Sequence, residues 1–185
     1  ITDVAFGEVW LCSGQSNMEL TVPQTDVAAN FVPTTRLRIF LAPHTQYGST
    51  QRFYDFPNQP GWSQNNPNAS AACVAFGNFL QAQLDVPVGI FSSAVGATAI
   101  EAWVNNPNLL SDMPPEEVRS HLLCDPAVPQ WLPYCAPASG YFNTMINPIL
   151  PFKIKGVLWY QGESNVGAND HYKTLFKRMV EGWNS

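Results

Sequence analysis

Four short apolar runs alternate with helical patterns, and this alternation is the feature that most constrains the fold. The runs are "EVWLCS" (8–13), "RLRIFLA" (36–42), "VPVGIFSSA" (86–94) and "KGVLWYQG" (155–162). Three of them are nearly continuously apolar, which is typical of strands covered on both faces of a sheet. Strands that alternate with helices predict an α/β fold with a mainly parallel sheet.

Two helices are predicted from apolar residues that recur at helical spacing. One spans 71–84, with Ser70 as its N-cap. Its apolar residues are Cys73, Phe76, Phe79, Leu80 and Leu84. The other follows the fourth strand, with Asp170 as its cap. Its apolar residues are Tyr172, Leu175, Phe176, Met179 and Trp183.

The length of 185 residues, with 45% hydrophobic and 12% charged residues, predicts a single packed domain over residues 1–185. The stretch 105–139 is rich in proline and weakly periodic, so we expect a long excursion over the active face. The chain begins in a strand-like pattern and ends in a helical one, and we therefore expect a piece of a longer protein.

Composition excludes several classes of function. The net charge is −5 and basic residues do not cluster, which argues against a nucleic-acid partner. No apolar run approaches the roughly 18 residues that cross a bilayer, so no membrane association is expected. His, Cys and Asp residues lack the spacing of metal ligands, and we expect neither a metal nor another cofactor.

Polar residues follow three of the four predicted strands. They are Ser13–Asn17, Ser92–Thr98 and Gln161–Asn165. Because ligands of parallel α/β sheets bind at the carboxyl ends of the strands, these three segments predict a common site.

The first segment contains a candidate nucleophile, Ser16. Gly14 allows a tight turn before it, and a helix can begin after it. The turn does not match G-x-S-x-G, because Met18 occupies the last position. The turn by itself favours a serine that caps the next helix over a nucleophile.

The other two segments carry candidate partners for such a nucleophile. The N–H of Gly96 can stabilise a developing oxyanion, and so can the side-chain amide of Gln161. Glu163 can orient a base or make a buried hydrogen bond. Each of these residues is equally typical of an ordinary polar turn.

Taken together, "GEVWLCSGQSNM", "SSAVGATAIEAW", "YFNTMINPIL" and "GVLWYQGESN" resemble the sialate O-acetylesterase family of SGNH-type carbohydrate esterases. The similarity extends over essentially the whole chain and is weakest in 105–139. The order and separation of "GQSNM" and "WYQGES", about 145 residues apart, make the resemblance specific.

The resemblance implies a three-layer α/β/α fold of the SGNH-hydrolase (flavodoxin-like) kind, in which a serine attacks an O-acetyl ester. Ser16 is then the nucleophile and its own N–H joins the oxyanion hole, with Gly96 and Gln161 as further donors. Asn143 is expected to shape the pocket, and Asn17 and Glu163 are further candidates for a catalytic or pocket role. Two departures suggest an altered pocket: the family often has Trp-Gly-Gly where this chain has Val95-Gly96-Ala97, and often His where it has Asn147.

The general base that a serine nucleophile needs is missing from the expected place. The family supplies it from a D-x-x-H segment near the end of the domain, and no Asp here has a His three places later. His44 lies beyond the second strand and His121 in the proline-rich excursion, and both are poor candidates. His171 is typical of a solvated residue at a helix start. We therefore expect the final strand and the Asp/His pair to come from a C-terminal segment beyond the chain or from a second chain.

Four cysteines leave the pairing open. Cys12 and Cys73 lie in apolar stretches and are predicted to be buried free thiols, whereas Cys124 and Cys135 flank a loop that a disulfide could close. A glycosylation sequon begins at Asn68. These features favour a secreted or lysosomal glycoprotein.

The main alternative is a non-catalytic carbohydrate-binding module of esterase ancestry. In it, the indole rings of Trp103, Trp131 and Trp159 would contact sugar faces. Among esterases, the substrate is either an O-acetylated sialic acid, which we favour, or an acetylated xylan.

Overall fold

The computed structural model describes residues 3–30, 34–44, 61–64, 66–105 and 136–184. Five strands form one sheet in the order β3-β2-β4-β1-β5. The strands are β1 (Glu8–Gly14), β2 (Leu37–Leu41), β3 (Ser63–Gln64), β4 (Val88–Ala94) and β5 (Gly156–Tyr160). Every pair is parallel except β2 with β3, which confirms the predicted α/β class.

The helices of the described residues differ widely in length. The α-helices are α1 (Ser16–Glu19), α2 (Val27–Asn30), α3 (Ala71–Leu84) and α4 (Asn169–Trp183). Short 3-10 turns occupy Val22–Gln24, Ile100–Trp103 and Glu163–Asn165, and a π-helical turn occupies Phe142–Ile146. No helix of these ranges is long and apolar enough to cross a membrane.

The chain forms two compact units. The first comprises residues 1–43, 57–95 and 152–160, and it contains the sheet. The second comprises residues 44–56, 96–151 and 161–185, and it contains α4.

In the first unit, α3 packs closely on the sheet. The contact is close because Gly77 has no side chain: a Cβ there would lie 2.6 Å from Ile90 Cδ1 and 2.7 Å from Leu37 Cδ1. Ser70 caps the helix as predicted, since its hydroxyl accepts a hydrogen bond from the Cys73 N–H at 3.3 Å. Phe79 and Leu84 of the predicted apolar set are exposed instead.

The prediction of free thiols in the core is wrong for the pair Cys12 and Cys73, which form a disulfide. Cys12 lies in β1 and Cys73 in the first turn of α3, and both are fully buried. Packing of α3 over the sheet brings their Cα atoms to 6.3 Å, within reach of a disulfide. Cys12 and Cys73 are 61 residues apart, and nothing in the sequence indicates that they meet in the folded chain. Cys124 and Cys135 lie outside the described residues.

Two further predictions need correction. Asp170 does not cap α4, because the helix begins one residue earlier, at Asn169, and Ala168 stands at the N-cap. Among the described residues, the last strand is not covered on both faces: β5 lies at the edge of the sheet that these strands form, with Val157 and Tyr160 exposed. Of the predicted excursion, 106–135 lies outside the described residues.

Candidate active site

Ser16 is exposed at the first position of α1, directly after the carboxyl end of β1. The residue before it is fixed by backbone hydrogen bonds. The Gln15 N–H donates to the Tyr160 carbonyl at 3.0 Å, and the Gln15 carbonyl accepts from Met18 and Glu19 at 2.9 and 3.0 Å. The exposed hydroxyl of Ser16 therefore stands on a well-anchored turn.

Gly14 makes this turn possible. Its φ of +141° lies in a region that L side chains rarely adopt, and a Cβ there would collide with the carbonyl group of Tyr160. Any larger residue would push β1 away from β5 and move Ser16 with it.

Three strand ends lie side by side in this unit, as the sequence predicted. Gly14 is in register with Ala94 of β4 on one side and with Tyr160 of β5 on the other. The Val95 N–H continues the ladder by donating to the Gly14 carbonyl at 3.1 Å. The carboxyl ends of β1, β4 and β5 therefore lie together at one edge of the sheet.

Gly96 belongs to the second unit and lies in a turn that follows β4 in the chain. The next residue, Ala97, has a φ of +58°, in the left-handed region. This is the position at which the resemblance led us to expect a second glycine, so the altered residue keeps a conformation that favours glycine.

Gln161 is held by its amide group within the second unit. Its Nε2 donates to the Thr98 carbonyl at 3.0 Å and to Asn165 Oδ1 at 2.7 Å. A primary amide has two N–H donors, so both are in use. Donation to an oxyanion, as predicted for Gln161, would require one of these two hydrogen bonds to be shared or broken.

A buried carboxylate that the sequence analysis did not single out completes this network. Glu101 is 0% exposed, and its Oε2 accepts from Asn165 Nδ2 at 2.9 Å. Asn165 Oδ1 also accepts from the Ile100 N–H at 2.9 Å. A signal was present in "AIEAW", where one acidic residue interrupts an apolar run, because a buried charge needs built partners.

His171 is not the solvated residue that the sequence predicted. Its side chain is 15% exposed, and its Nε2 lies 3.8 Å from Glu101 Oε1. It is the third residue of α4, and the packing of this helix against the Ile100–Trp103 turn turns the imidazole inward. His121 lies outside the described residues.

The remaining candidates occupy different surroundings. Glu163 is exposed in the 3-10 turn after Gly162, so Glu101 and not Glu163 is the buried carboxylate of this region. Asn143 is half-buried in the π-helical turn, an irregularity that often marks functional sites. Asn17 is half-buried in α1.

Trp103 cannot present its ring to a sugar, which removes one support of the binding-module alternative. The side chain is 0% exposed, its Nε1 donates to Thr98 Oγ1 at 3.0 Å, and its ring stacks on Tyr141. Trp159 is half-buried in β5, and Trp131 lies outside the described residues.

A cavity of about 300 Å³ lies at the opposite, amino-terminal ends of the strands of the first unit. Trp62 and Arg38 line it, together with residues of the segment before β1. Arg38 donates hydrogen bonds to the Asp3 carboxylate at 2.7 and 2.9 Å, which lowers the pKa of Asp3. None of the residues that line this cavity belongs to the three polar segments Ser13–Asn17, Ser92–Thr98 and Gln161–Asn165. Across the described ranges, His, Cys, Asp and Glu side chains form no group that could hold a metal ion.

Comparisons with known proteins identify relatives over nearly the whole chain. A family model described as "Carbohydrate esterase, sialic acid-specific acetylesterase" matches residues 6–184. Sialate O-acetylesterase of Homo sapiens is 34% identical over 203 residues, and that of Rattus norvegicus is 32% identical over 219 residues. Each alignment covers 99% of this chain.

A solved structure of a carbohydrate acetylesterase from Xanthomonas citri superimposes with a TM-score of 0.72 at 30% identity. The superposition covers 96% of this chain and 38% of that one. The chain likewise spans 36% of the human relative and 40% of the rat relative.

Proposed function

The chain belongs to the family of sialic acid-specific acetylesterases among the carbohydrate esterases, and from this we propose that it hydrolyses O-acetyl esters on carbohydrates. The proposed substrates are O-acetylated sialic acids, since the curated relatives are named sialate O-acetylesterases. One observation carries the proposal: Ser16 is exposed at the start of α1, on a turn anchored to β5 through Gln15.

The proposed reaction proceeds through an acetyl-serine intermediate. A base takes the proton of the Ser16 hydroxyl while Oγ attacks the acetyl carbonyl, and the C–O bond to the sugar then breaks as the sugar oxygen takes up a proton. A water molecule next attacks the acetyl-serine, releases acetate and restores the Ser16 hydroxyl.

Two backbone groups are proposed as oxyanion donors, the N–H of Ser16 and the N–H of Gly96. The first N–H groups of a helix have no partner inside the helix, and this supports Ser16 as a donor. Gln161 holds its amide toward Thr98 and Asn165. We therefore assign Gln161 a donor role only with a rearrangement of one of those hydrogen bonds.

The general base is proposed to lie outside these 185 residues, in a C-terminal segment or on a second chain. Support comes from the absence of any Asp-x-x-His in the sequence. The relatives, of which this chain spans 36–40%, are long enough to contain such a segment.

The protein is proposed to be secreted or lysosomal. The Cys12–Cys73 disulfide supports an oxidising compartment. Asn68 of the sequon is exposed, as attachment of a glycan requires.

The test is the substitution Ser16→Ala in a form of the protein that hydrolyses an aryl acetate. We expect kcat to fall by about 10³-fold or more, because the covalent step is lost. Ser13→Ala is the matched control: Ser13 is fully buried three residues earlier, and its hydroxyl has no hydrogen-bond partner among the described residues. Near-normal kcat in Ser16→Ala, with Ser13→Ala also active, would refute the assignment.

Substrate class is tested by comparing O-acetylated sialic acid with acetylated xylan. We expect a higher kcat/KM for the sialic acid ester. A preference for xylan would assign acetyl xylan esterase specificity instead. Sugar binding without hydrolysis, unchanged in Ser16→Ala, would favour the binding module.

A further inference from the structure

The side chain of Glu101 is fully buried and needs hydrogen-bond partners to replace the water that it has lost. The residue is 0% exposed, and a carboxylate removed from water is costly unless it is hydrogen-bonded. The Asn165 side chain supplies this hydrogen bond, since its Nδ2 donates to Oε2 at 2.9 Å. The other oxygen, Oε1, accepts no hydrogen bond from the described residues, and His171 Nε2 lies 3.8 Å from it.

This carboxylate determines which way the Asn165 amide faces. Glu101 Oε2 accepts its hydrogen bond from Asn165 Nδ2, so Asn165 directs its NH₂ group at Glu101. Its carbonyl oxygen then faces the other way, where it accepts from the Ile100 N–H at 2.9 Å and from Gln161 Nε2 at 2.7 Å.

The orientation is passed on to Gln161. Because Asn165 presents an oxygen, Gln161 has to present its NH₂ group, and the Thr98 carbonyl binds the second N–H at 3.0 Å. The reverse orientation of Gln161 would set its own oxygen against two acceptors. The order Glu101, Asn165, Gln161 is thus a directional chain of hydrogen bonds, which we term the amide relay.

We propose that Glu101 is a positioning residue for ester hydrolysis. It acts through Asn165 to hold the loop 161–165 and the side-chain amide of Gln161 in the arrangement from which the rearrangement of one hydrogen bond gives Gln161 its proposed donor role. The inference rests on the proposed esterase function. It gives a role to the acidic residue within the apolar stretch "AIEAW". Glu101 thus makes the buried hydrogen bond that was one of the two alternatives suggested for Glu163.

The first arm of the test measures the relay without reference to activity. Side-chain ¹⁵N–H₂ signals of Gln161 are followed by NMR in the 185-residue chain, and their exchange with solvent is compared between variants. We expect Glu101→Leu to accelerate exchange by about 10-fold or more, since Asn165 loses its anchor. Glu101→Gln keeps an acceptor oxygen and should stay within about 3-fold of the wild-type rate.

The second arm measures kinetics in an acetylesterase-active form. Glu101→Leu is expected to lower kcat by about 10²-fold with little change in KM, as misplacement of a positioned group does. Glu101→Gln should retain most of the wild-type kcat that Glu101→Leu loses. When Gln161 is already replaced by Ala, adding Glu101→Leu should lower kcat by a further factor of less than about 3, because the amide that Glu101 positions is absent.

Glu101→Asp guards against a variant that fails to fold. It retains the carboxyl group and withdraws it from Asn165 by one methylene, so exchange should accelerate and kcat should fall, as in Glu101→Leu but by smaller factors. The inference is overturned if Gln161 exchange is unchanged in Glu101→Leu or Glu101→Asp, or if the kcat losses of Glu101 and Gln161 variants simply multiply. Full activity of Ser16→Ala would instead refute the proposed function, whatever the exchange rates.

Discussion

At the scale of single residues, Ala97 adopts a left-handed backbone conformation that glycine would adopt more readily. Its φ of +58° places it in the left-handed region, which costs an L-residue with a Cβ about 1–2 kcal/mol. The turn after β4 keeps this geometry although no glycine occupies the position.

Ala97→Gly is therefore expected to raise the free energy of unfolding by about 0.5–1 kcal/mol, the strain relieved exceeding the entropy gained by the unfolded chain. Thermal or urea unfolding measures the effect. Ala99→Gly is the matched control: Ala99 has a φ of −85° and is buried, so glycine should destabilise there. Destabilisation by Ala97→Gly equal to that of the control would contradict the strain argument.

Individual site residues were predictable to different degrees. The position of Ser16 in a turn after a strand could be predicted because the pattern is local: a strand, a glycine and a small polar residue occur within nine positions. Its role as nucleophile came from the family resemblance and stays a prediction. Glu101 could not, because its importance depends on Asn165 and His171, which are 64 and 70 residues away and meet it only in the folded chain. The same holds for Trp103, whose burial follows from its contact with Tyr141.

At the scale of elements, the Cys12–Cys73 disulfide links β1 to α3. Strand β1 leads into the turn that carries Ser16, and helix α3 packs on the sheet. The bridge closes a loop with a sequence separation of 61 residues. A cross-link of this span restricts the unfolded chain considerably.

Cys12→Ala is expected to lower the free energy of unfolding by about 4 kcal/mol, the value that loop-closure entropy gives for a loop of this length. Cys73→Ala should cost about the same, and the double variant little more than either single one, because one bridge is lost in all three. Urea unfolding under oxidising conditions measures this. Additive losses would mean that the thiols stabilise the core separately rather than as a disulfide.

The boundaries of elements followed from pattern where the pattern is strong. Helix α3 was predicted over the residues that form it, because Ser70 supplies a cap and the apolar period is regular. For α4 the predicted cap was wrong: Asp170 was favoured by residue type, yet the preceding chain enters the helix at Ala168 without a side-chain cap. The π-helical turn at Phe142–Ile146 has no counterpart in apolar periodicity.

At the scale of the whole molecule, alternating apolar runs sufficed to predict the mainly parallel sheet, since each strand has to bury its faces under helices. They could not predict that β5 forms an edge among the described strands, because strand order depends on crossover connections. The division of the chain into two compact units was likewise not evident from composition.

A prediction at this scale concerns the general base, which we propose to lie outside the 185 residues. We expect the chain alone to hydrolyse an aryl acetate at a negligible rate, and a longer form or a complementing second chain to restore turnover. His171→Ala in the chain alone is the control, because it tests whether this inward-facing histidine acts as the base. Robust turnover by the chain that disappears in His171→Ala would show that the base lies within it.

The central claim, that Ser16 forms the covalent intermediate, is tested most directly by mapping the adduct of an organophosphonate ester. An acetylesterase-active form is inactivated with the reagent, digested, and analysed by mass spectrometry. The account predicts one equivalent of phosphonate on the peptide that carries Ser16, and no labelling of Ser16→Ala. An adduct on another residue, with Ser16 unmodified and activity lost, would contradict it.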